Sequence, residues 1–233
     1  MLLALLLAGT GCGDKKKKQA KVPAPPPTLV PPAAKPGEPV PPPQQQLPTK
    51  PESSWTQTGT ASWYVPEPAG RKTASGEAYS FTALTAAHRT LPLQSLVRVT
   101  NLKTNSQAIV RINDRGPFIG ARVIDLSVAA AKALDVWKPG LATVKLEVMH
   151  APAAIDIGGR WCVQIGAFRQ RTSALGLKQD LMSRYRQARV LDFPGSTGYW
   201  VRVRVRDDDR RLAQQVASNI KVNEGGVFLV RLD

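Results

Sequence analysis

Apolar and polar positions alternate in short runs through the middle of the chain. LVRVTNL (96–102) carries Val97 and Val99, and QAIVRIN (107–113) carries Ile109 and Ile112. VIDL (Val123–Leu126) and TVKLEV (Thr143–Val148) repeat the rhythm, and each run predicts a strand. Between the last two, SVAAAKALDV changes to a helical pattern with Ser127 as its N-cap, and Pro139-Gly140 closes it. Short strands packed this densely between turns predict a small, mainly β closed barrel over residues 57–150.

After a break at APAAIDIGG the pattern changes. WCVQIGAF (Trp161–Phe168), GYWVRVRV (Gly198–Val205) and VFLVRL at the end of the chain read as strands. SALGLKQDLMSRY places Leu177, Leu181 and Tyr185 at helical spacing, and RLAQQVASNI does the same with Leu212, Val216 and Ile220. Residues 158–233 therefore predict a separate α+β unit of order βαβαβ. Side chains alternate across a strand, so Val201, Val203 and Val205 belong under the helices. Trp200, Arg202 and Arg204 belong on the opposite face, and Gln164 and Cys162 share one parity in the first strand. A face bearing tryptophan, arginine and glutamine suits a polar glycan; a solvated face is the bland alternative.

The first residues follow neither rhythm. LLALLLA (2–8) is an apolar run, too short for a bilayer, which takes about 20 residues. Small residues and Cys12 follow it, as in a signal peptide. Residues 22–51 hold thirteen of the twenty prolines. Proline lacks the N–H that helices and sheet ladders need, so residues 13–56 predict a semi-rigid tether; thirty such residues reach at most about 90 Å.

The formal charge is +15, with excesses of +4, +5 and +6 over residues 13–58, 59–150 and 151–233. An excess spread this evenly favours polyanions without choosing among them. Nucleic acid is not expected, because the strands lack the aromatic run of an RNA-binding sheet and the chain carries an export signal. Cys12 and Cys162, with His88 and His150, form no recognised zinc spacing, so neither a metal nor a cofactor is expected.

The segments GTASWY (59–64), KTASGE (72–77), LTAAHRTLP (84–92), NDRGPF (113–118) and VIDLS (123–127) occur in one order. In that order and spacing they resemble the rare lipoprotein A family, which implies a six-stranded double-psi β-barrel. It also implies a peptidoglycan lytic transglycosylase acting on glycan strands without stem peptides and leaving 1,6-anhydro-muramyl ends. VQIGAF and YWVRVRV resemble a SPOR domain (a ferredoxin/RNP-like βαβαβ fold), which implies binding of septal peptidoglycan. RDDDRR replaces the Gly-Pro-Phe that usually follows the third strand. The N-terminus resembles a lipoprotein signal with Cys12 as the lipidated residue. That implies a membrane partner through the lipid anchor, an outer-membrane, periplasm-facing location enriched at the septum, and divisome proteins as possible partners.

Glycan cleavage needs an acid at the leaving oxygen and support for an oxocarbenium-like charge. By resemblance Glu77, His88 and Asp114 hold the family's three catalytic positions. Asp114 is the first candidate for the acid, which requires a raised pKa; Glu77 is the other, or a neighbouring like charge. His88 can position the sugar or shuttle a proton, or be a satisfied structural histidine. Asp114 can equally be a turn residue, Glu77 a solvated loop acid, and Asp125 reads as a strand-end residue. Tyr64, Ser75, Arg89, Arg115, Gln164, Trp200 and Arg202 are the expected substrate-binding residues. The competing function is a wall-binding lipoprotein without catalysis.

Overall fold

The computed structural model describes residues 48, 50–65, 71–186, 188–195 and 198–233. The signal peptide, Cys12 and nearly all of the proline-rich tether lie outside the described residues. Six strands follow in the first half: β1 (Thr56–Trp63), β2 (Thr85–Ala87), β3 (Leu96–Asn101), β4 (Gln107–Asp114), β5 (Arg122–Leu126) and β6 (Ala142–His150). They close into a barrel of order β1-β5-β2-β4-β3-β6. The pairs β1–β5 and β2–β4 are parallel and the other four antiparallel. Closure leaves no free sheet edge, which is how so small a sheet stays solitary.

The period-2 reading places the core. Val97, Val99, Val110, Ile112, Val144 and Leu146 are fully buried inside the barrel. β1 crosses β5 closely enough that a Cβ on Gly59 would lie 2.4 Å from Cγ1 of Val123. The helix α1 (Val128–Ala133) begins where expected. Ser127 Oγ accepts from the Ala130 amide and donates to the Ala83 carbonyl, so one hydroxyl caps the helix and fixes the segment entering β2. Trp55, placed in the tether by its sequence, packs on the barrel core instead.

The second half contains β7 (Trp161–Phe168), α2 (Arg171–Arg184), β8 (Arg189–Gly195), β9 (Gly198–Arg204), α3 (Arg210–Asn219) and β10 (Gly226–Arg231). The strands form an antiparallel sheet of order β10-β7-β9-β8. The expected βαβαβ order thus gains one strand. RVLDFPG, which has no clean alternation and contains Pro194, is not among the expected strands. Within the sheet β8 is an edge that pairs only with β9, the position where a proline is tolerated.

Both helices pack on one face of this sheet, where Val201, Val203 and Val205 meet Ala174, Leu181, Ala213 and Val216. Leu212 is a correction: it stays 39% exposed, and the buried stripe of α3 runs through Ala213, Val216 and Ile220. The RDDDRR segment has structural work: Asp208 bonds Arg160 and Arg204, and Asp209 caps α3 at Leu212.

The opposite face is not open to solvent, contrary to the expectation for Trp200, Arg202 and Gln164 as a free glycan platform. Cys162, Gln164 and Trp200 are buried. Phe118, from the β4–β5 connection, lies with its ring centroid 5.4 Å from Trp200 and 5.6 Å from Phe228. The Arg231 amide donates to the Arg89 carbonyl at 2.9 Å, and the Leu93 amide to the Asp233 carbonyl at 3.2 Å. A sheet backed by helices on one side has a second apolar-aromatic face to cover, and the barrel covers it.

Candidate active site

β2 is only three residues long, yet it sets the centre of the site. Ala87 is in register with Asp114 of β4 on one side and with Asp125 of β5 on the other. Neighbouring strands lie about 4.8 Å apart, so the two aspartates flank one methyl group with their backbones about two strand spacings apart. All three residues line one cavity of about 670 Å³, within the range of small-molecule sites. Its other wall is the covered face of the C-terminal sheet, with Gln164, Phe193, Trp200 and Arg202.

The two carboxyls differ in surroundings. Three donors converge on Asp114: the Arg115 amide at 2.8 Å and the Ala74 amide at 3.0 Å on Oδ1, and the Tyr64 hydroxyl at 3.0 Å on Oδ2. Tyr64, pushed well above its ordinary value by burial and by the Asp114 charge, stays a donor. Asp125 receives the Ser62 hydroxyl, with Arg122 Nε 3.7 Å away. Its pKa is raised: burial outweighs the bond from Ser62 and the two arginines, and Asp114 adds a like charge. The sequence reading of Asp125 as a strand-end residue missed this pairing. Its only signal was polarity inside an otherwise apolar strand, VIDL.

Glu77 lies outside the cavity. Arg111 grips both of its oxygens, at 2.6 and 2.9 Å, and Ser75 donates at 2.8 Å. These bonds, that of Arg111 foremost, hold its pKa down to about 2, so Glu77 is no proton donor. It fastens the 72–78 loop to β4. The Ser75 amide donates to the Asn113 carbonyl, and the same loop delivers the Ala74 amide to Asp114. Ser75 acts within this brace and does not line the cavity.

His88 is fully enclosed rather than facing the groove. Its Nδ1 accepts from the Thr90 and Leu91 amides at 3.2 and 3.0 Å, which leaves the proton on Nε2, 3.0 Å from Gln57 Oε1. Burial, helped by Arg115 and Arg89, drives its pKa down to about 3, so it is neutral. Both ring nitrogens therefore have partners within the barrel. Its own amide donates to the Asp114 carbonyl, which makes His88, like Glu77, a brace for the acid.

Arg115 lines the cavity with its guanidinium turned to backbone carbonyls, and Arg89 is not among the lining residues. The Arg115 guanidinium donates to the carbonyls of His88, Leu91 and Asp233, and only its amide meets Asp114. Arg89 sits over the Phe228 ring at 5.5 Å and donates to the Pro117 carbonyl. Tyr64, Gln164, Trp200 and Arg202 do line the cavity, and Trp63 joins them while packing on Trp137 at 4.1 Å. Among the described residues no cluster of three or more metal-ligating side chains occurs.

The lytic transglycolase family model matches residues 56–146, and the SPOR domain model matches residues 158–231. A Campylobacter jejuni protein named endolytic peptidoglycan transglycosylase RlpA is 40% identical over 159 residues, 58% of this chain and 56% of that protein. The chain is thus similar to the RlpA proteins in both its barrel and its SPOR part. Another RlpA, from Neisseria meningitidis, is 56% identical over 95 residues, 41% of this chain and 40% of its own length. A third, from Pseudomonas aeruginosa, is 55% identical over 94 residues, 40% of this chain and 28% of its own length. The chain spans about half or less of the length of the curated relatives it matches.

Proposed function

We propose that this chain is a peptidoglycan lytic transglycosylase that cleaves glycan strands, prefers strands without stem peptides, and leaves 1,6-anhydro-muramyl ends. The observation that carries the reading is the pair of dissimilar carboxyls, Asp114 and Asp125, flanking Ala87 on one cavity wall. Two carboxyls in different surroundings divide the work that glycoside cleavage asks for. Asp125 takes the role first given to Asp114: with its pKa raised by burial, it passes a proton to the leaving oxygen as the C1–O bond breaks. Asp114, fixed by its three donors, faces the positive charge that develops at C1. The 6-hydroxyl of the same sugar closes on C1 and returns its proton to Asp125. No water is consumed and the acid is regenerated.

Glu77 and His88 are positioning residues in this scheme, because neither reaches the cavity and both hold the backbone around Asp114. The lipid anchor at Cys12, outer-membrane attachment, septal enrichment and divisome partners belong to the same proposal. They rest on the signal-like N-terminus, the proline-rich tether and the SPOR domain match.

Incubation of the full chain with stem-peptide-free glycan, followed by mass spectrometry, tests the chemistry. The expected products carry 1,6-anhydro ends, and Asp125→Asn yields about a thousandfold less of them, as loss of a general acid entails. Intact strands after incubation with folded wild-type protein would leave a wall-binding lipoprotein. Full activity in Asp125→Asn together with loss in Asp114→Asn would return the acid to Asp114.

A further inference from the structure

Among the described residues, the cavity lining has more positive than negative groups. Asp114 and Asp125 are the acids lining it, and Arg71, Lys72, Arg115, Arg122 and Arg202 the bases. Arg115 spends its guanidinium on backbone carbonyls. Arg202 does not: Nη2 donates to Gln164 Oε1 at 2.7 Å, the plane lies over Phe193 at 5.0 Å, and Nε has no acceptor. Among the described residues no carboxylate lies within ion-pair distance of Arg202. Arg122 donates to Ser62 Oγ at 2.6 Å and also keeps an Nε without a hydrogen-bond acceptor. Among the described residues its near anion is Asp125, at 3.7 Å. If Asp125 holds its proton, as the mechanism requires, Arg122 loses that countercharge as well.

Arg122 and Arg202 are half-buried, each with an Nε that finds no acceptor, so a ligand that supplies an anionic acceptor gains from both. Planar, donor-rich arginine suits a carboxylate best. The aromatic side chains Trp63, Phe193 and Trp200 on the same walls offer sugar-sized apolar faces. The site thus asks for a sugar bearing a carboxylate. In a glycan strand that group exists in one form: the lactyl arm of muramic acid, free when the stem peptide is gone. With the peptide attached, the same carboxyl is consumed in an amide and becomes neutral and bulky.

We propose that the free lactyl carboxylate of a muramic acid residue binds in this cleft between Arg122 of the barrel and Arg202 of the C-terminal sheet, so that both halves of the chain form one substrate site and read the absence of the stem peptide directly. This rests on the glycan-cleaving reading above and deepens it. The C-terminal sheet then serves as a wall of the site where the acid works, a role beyond a separate targeting module.

Calorimetric titration of the full chain carrying Asp125→Asn, which binds without turnover, tests the idea. The probes are a stem-peptide-free GlcNAc–MurNAc tetrasaccharide and the same molecule with its lactyl carboxylates converted to methylamides. The carboxylate form is expected to bind about tenfold tighter, a difference of about 1.4 kcal/mol. Adding Arg202→Gln should cut that preference to under about threefold, with Arg202→Lys between the two. Equal affinity for the two probes, no binding of either, or an undiminished preference in a folded Arg202→Gln protein would overturn the proposal. The wild-type Arg202 comparison decides even where the Gln variant does not fold. Cleavage is scored separately: a lasting preference without any strand cleavage sinks the lyase and spares this site, and cleavage without preference does the reverse.

Discussion

Three side chains that sequence order brings to one motif set do three different jobs once their bonds are traced. Asp114 faces the cavity, Glu77 ties a loop to β4, and His88 pins the turn after β2. The histidine's job has a measurable signature in acid. Its folded pKa is about 3, against an ordinary value of 6.5. The unfolded chain therefore binds the extra proton first, and His88 adds stability above pH 6.5 that is lost as the pH falls from there to about 3. One such proton contributes a slope of up to about 1.4 kcal/mol per pH unit. Glu77, also depressed, acts in the same direction between 4.5 and about 2. Asp125 opposes both, since its raised pKa makes it cost stability at neutral pH. Urea denaturation across pH 3–7 should show His88→Gln less stable by about 2–4 kcal/mol at neutral pH, because two amides lose their acceptor. Its stability should also be flatter with pH. A wild-type slope kept in the variant would mean that another group titrates there.

Among the elements, the short strand β2 has the largest consequence. It is three residues long and wholly buried, and it separates the strands that bear the two acids. Ala87 leaves the space between the carboxyls to the ligand. Ala87→Leu would fill that space, so strand cleavage should fall at least about a hundredfold, as a displaced reacting geometry predicts. The melting temperature should fall modestly, in keeping with about 1–3 kcal/mol of overpacking. Full activity in this variant would show that substrate does not pass between the aspartates. The strand is also a measure of what was legible in the sequence. Strands β3 to β7, β9 and β10, the capped helix and both helix positions in the second half follow from period and capping. Three buried residues carry no period of their own, so β2 was invisible, and with it the neighbourhood of Asp114 and Asp125. β8 was hidden by its proline. Motif order found Glu77, His88 and Asp114, but a linear pattern cannot show where a side chain's hydrogen bonds end, and their roles waited for the packing.

In the molecule as a whole, the two halves share more than a linker. The last residues of the chain return to the barrel, with the Asp233 carbonyl accepting from Leu93 and from Arg115. Phe118 reaches the other way, to Trp200 and Phe228. Distributed positive charge favours acidic polymers in general, while the proposed selectivity rests with Arg122 and Arg202, each of which keeps an Nε without an acceptor.

Cys162 lies on the sheet face that the barrel covers, fully buried, with burial pushing its thiol up to about 11. At neutral pH it is an unreactive thiol for as long as the two halves stay together. It is therefore a natural timer of their separation. With Cys12 replaced by serine, maleimide should modify the native chain only at the rate at which barrel and sheet part. A bound glycan fragment spanning both walls should slow that clock about tenfold or more, in proportion to its occupancy. Labelling as fast as in urea would mean that the halves stand apart in solution and that the sugar-binding cleft must be assembled anew at each encounter with the wall.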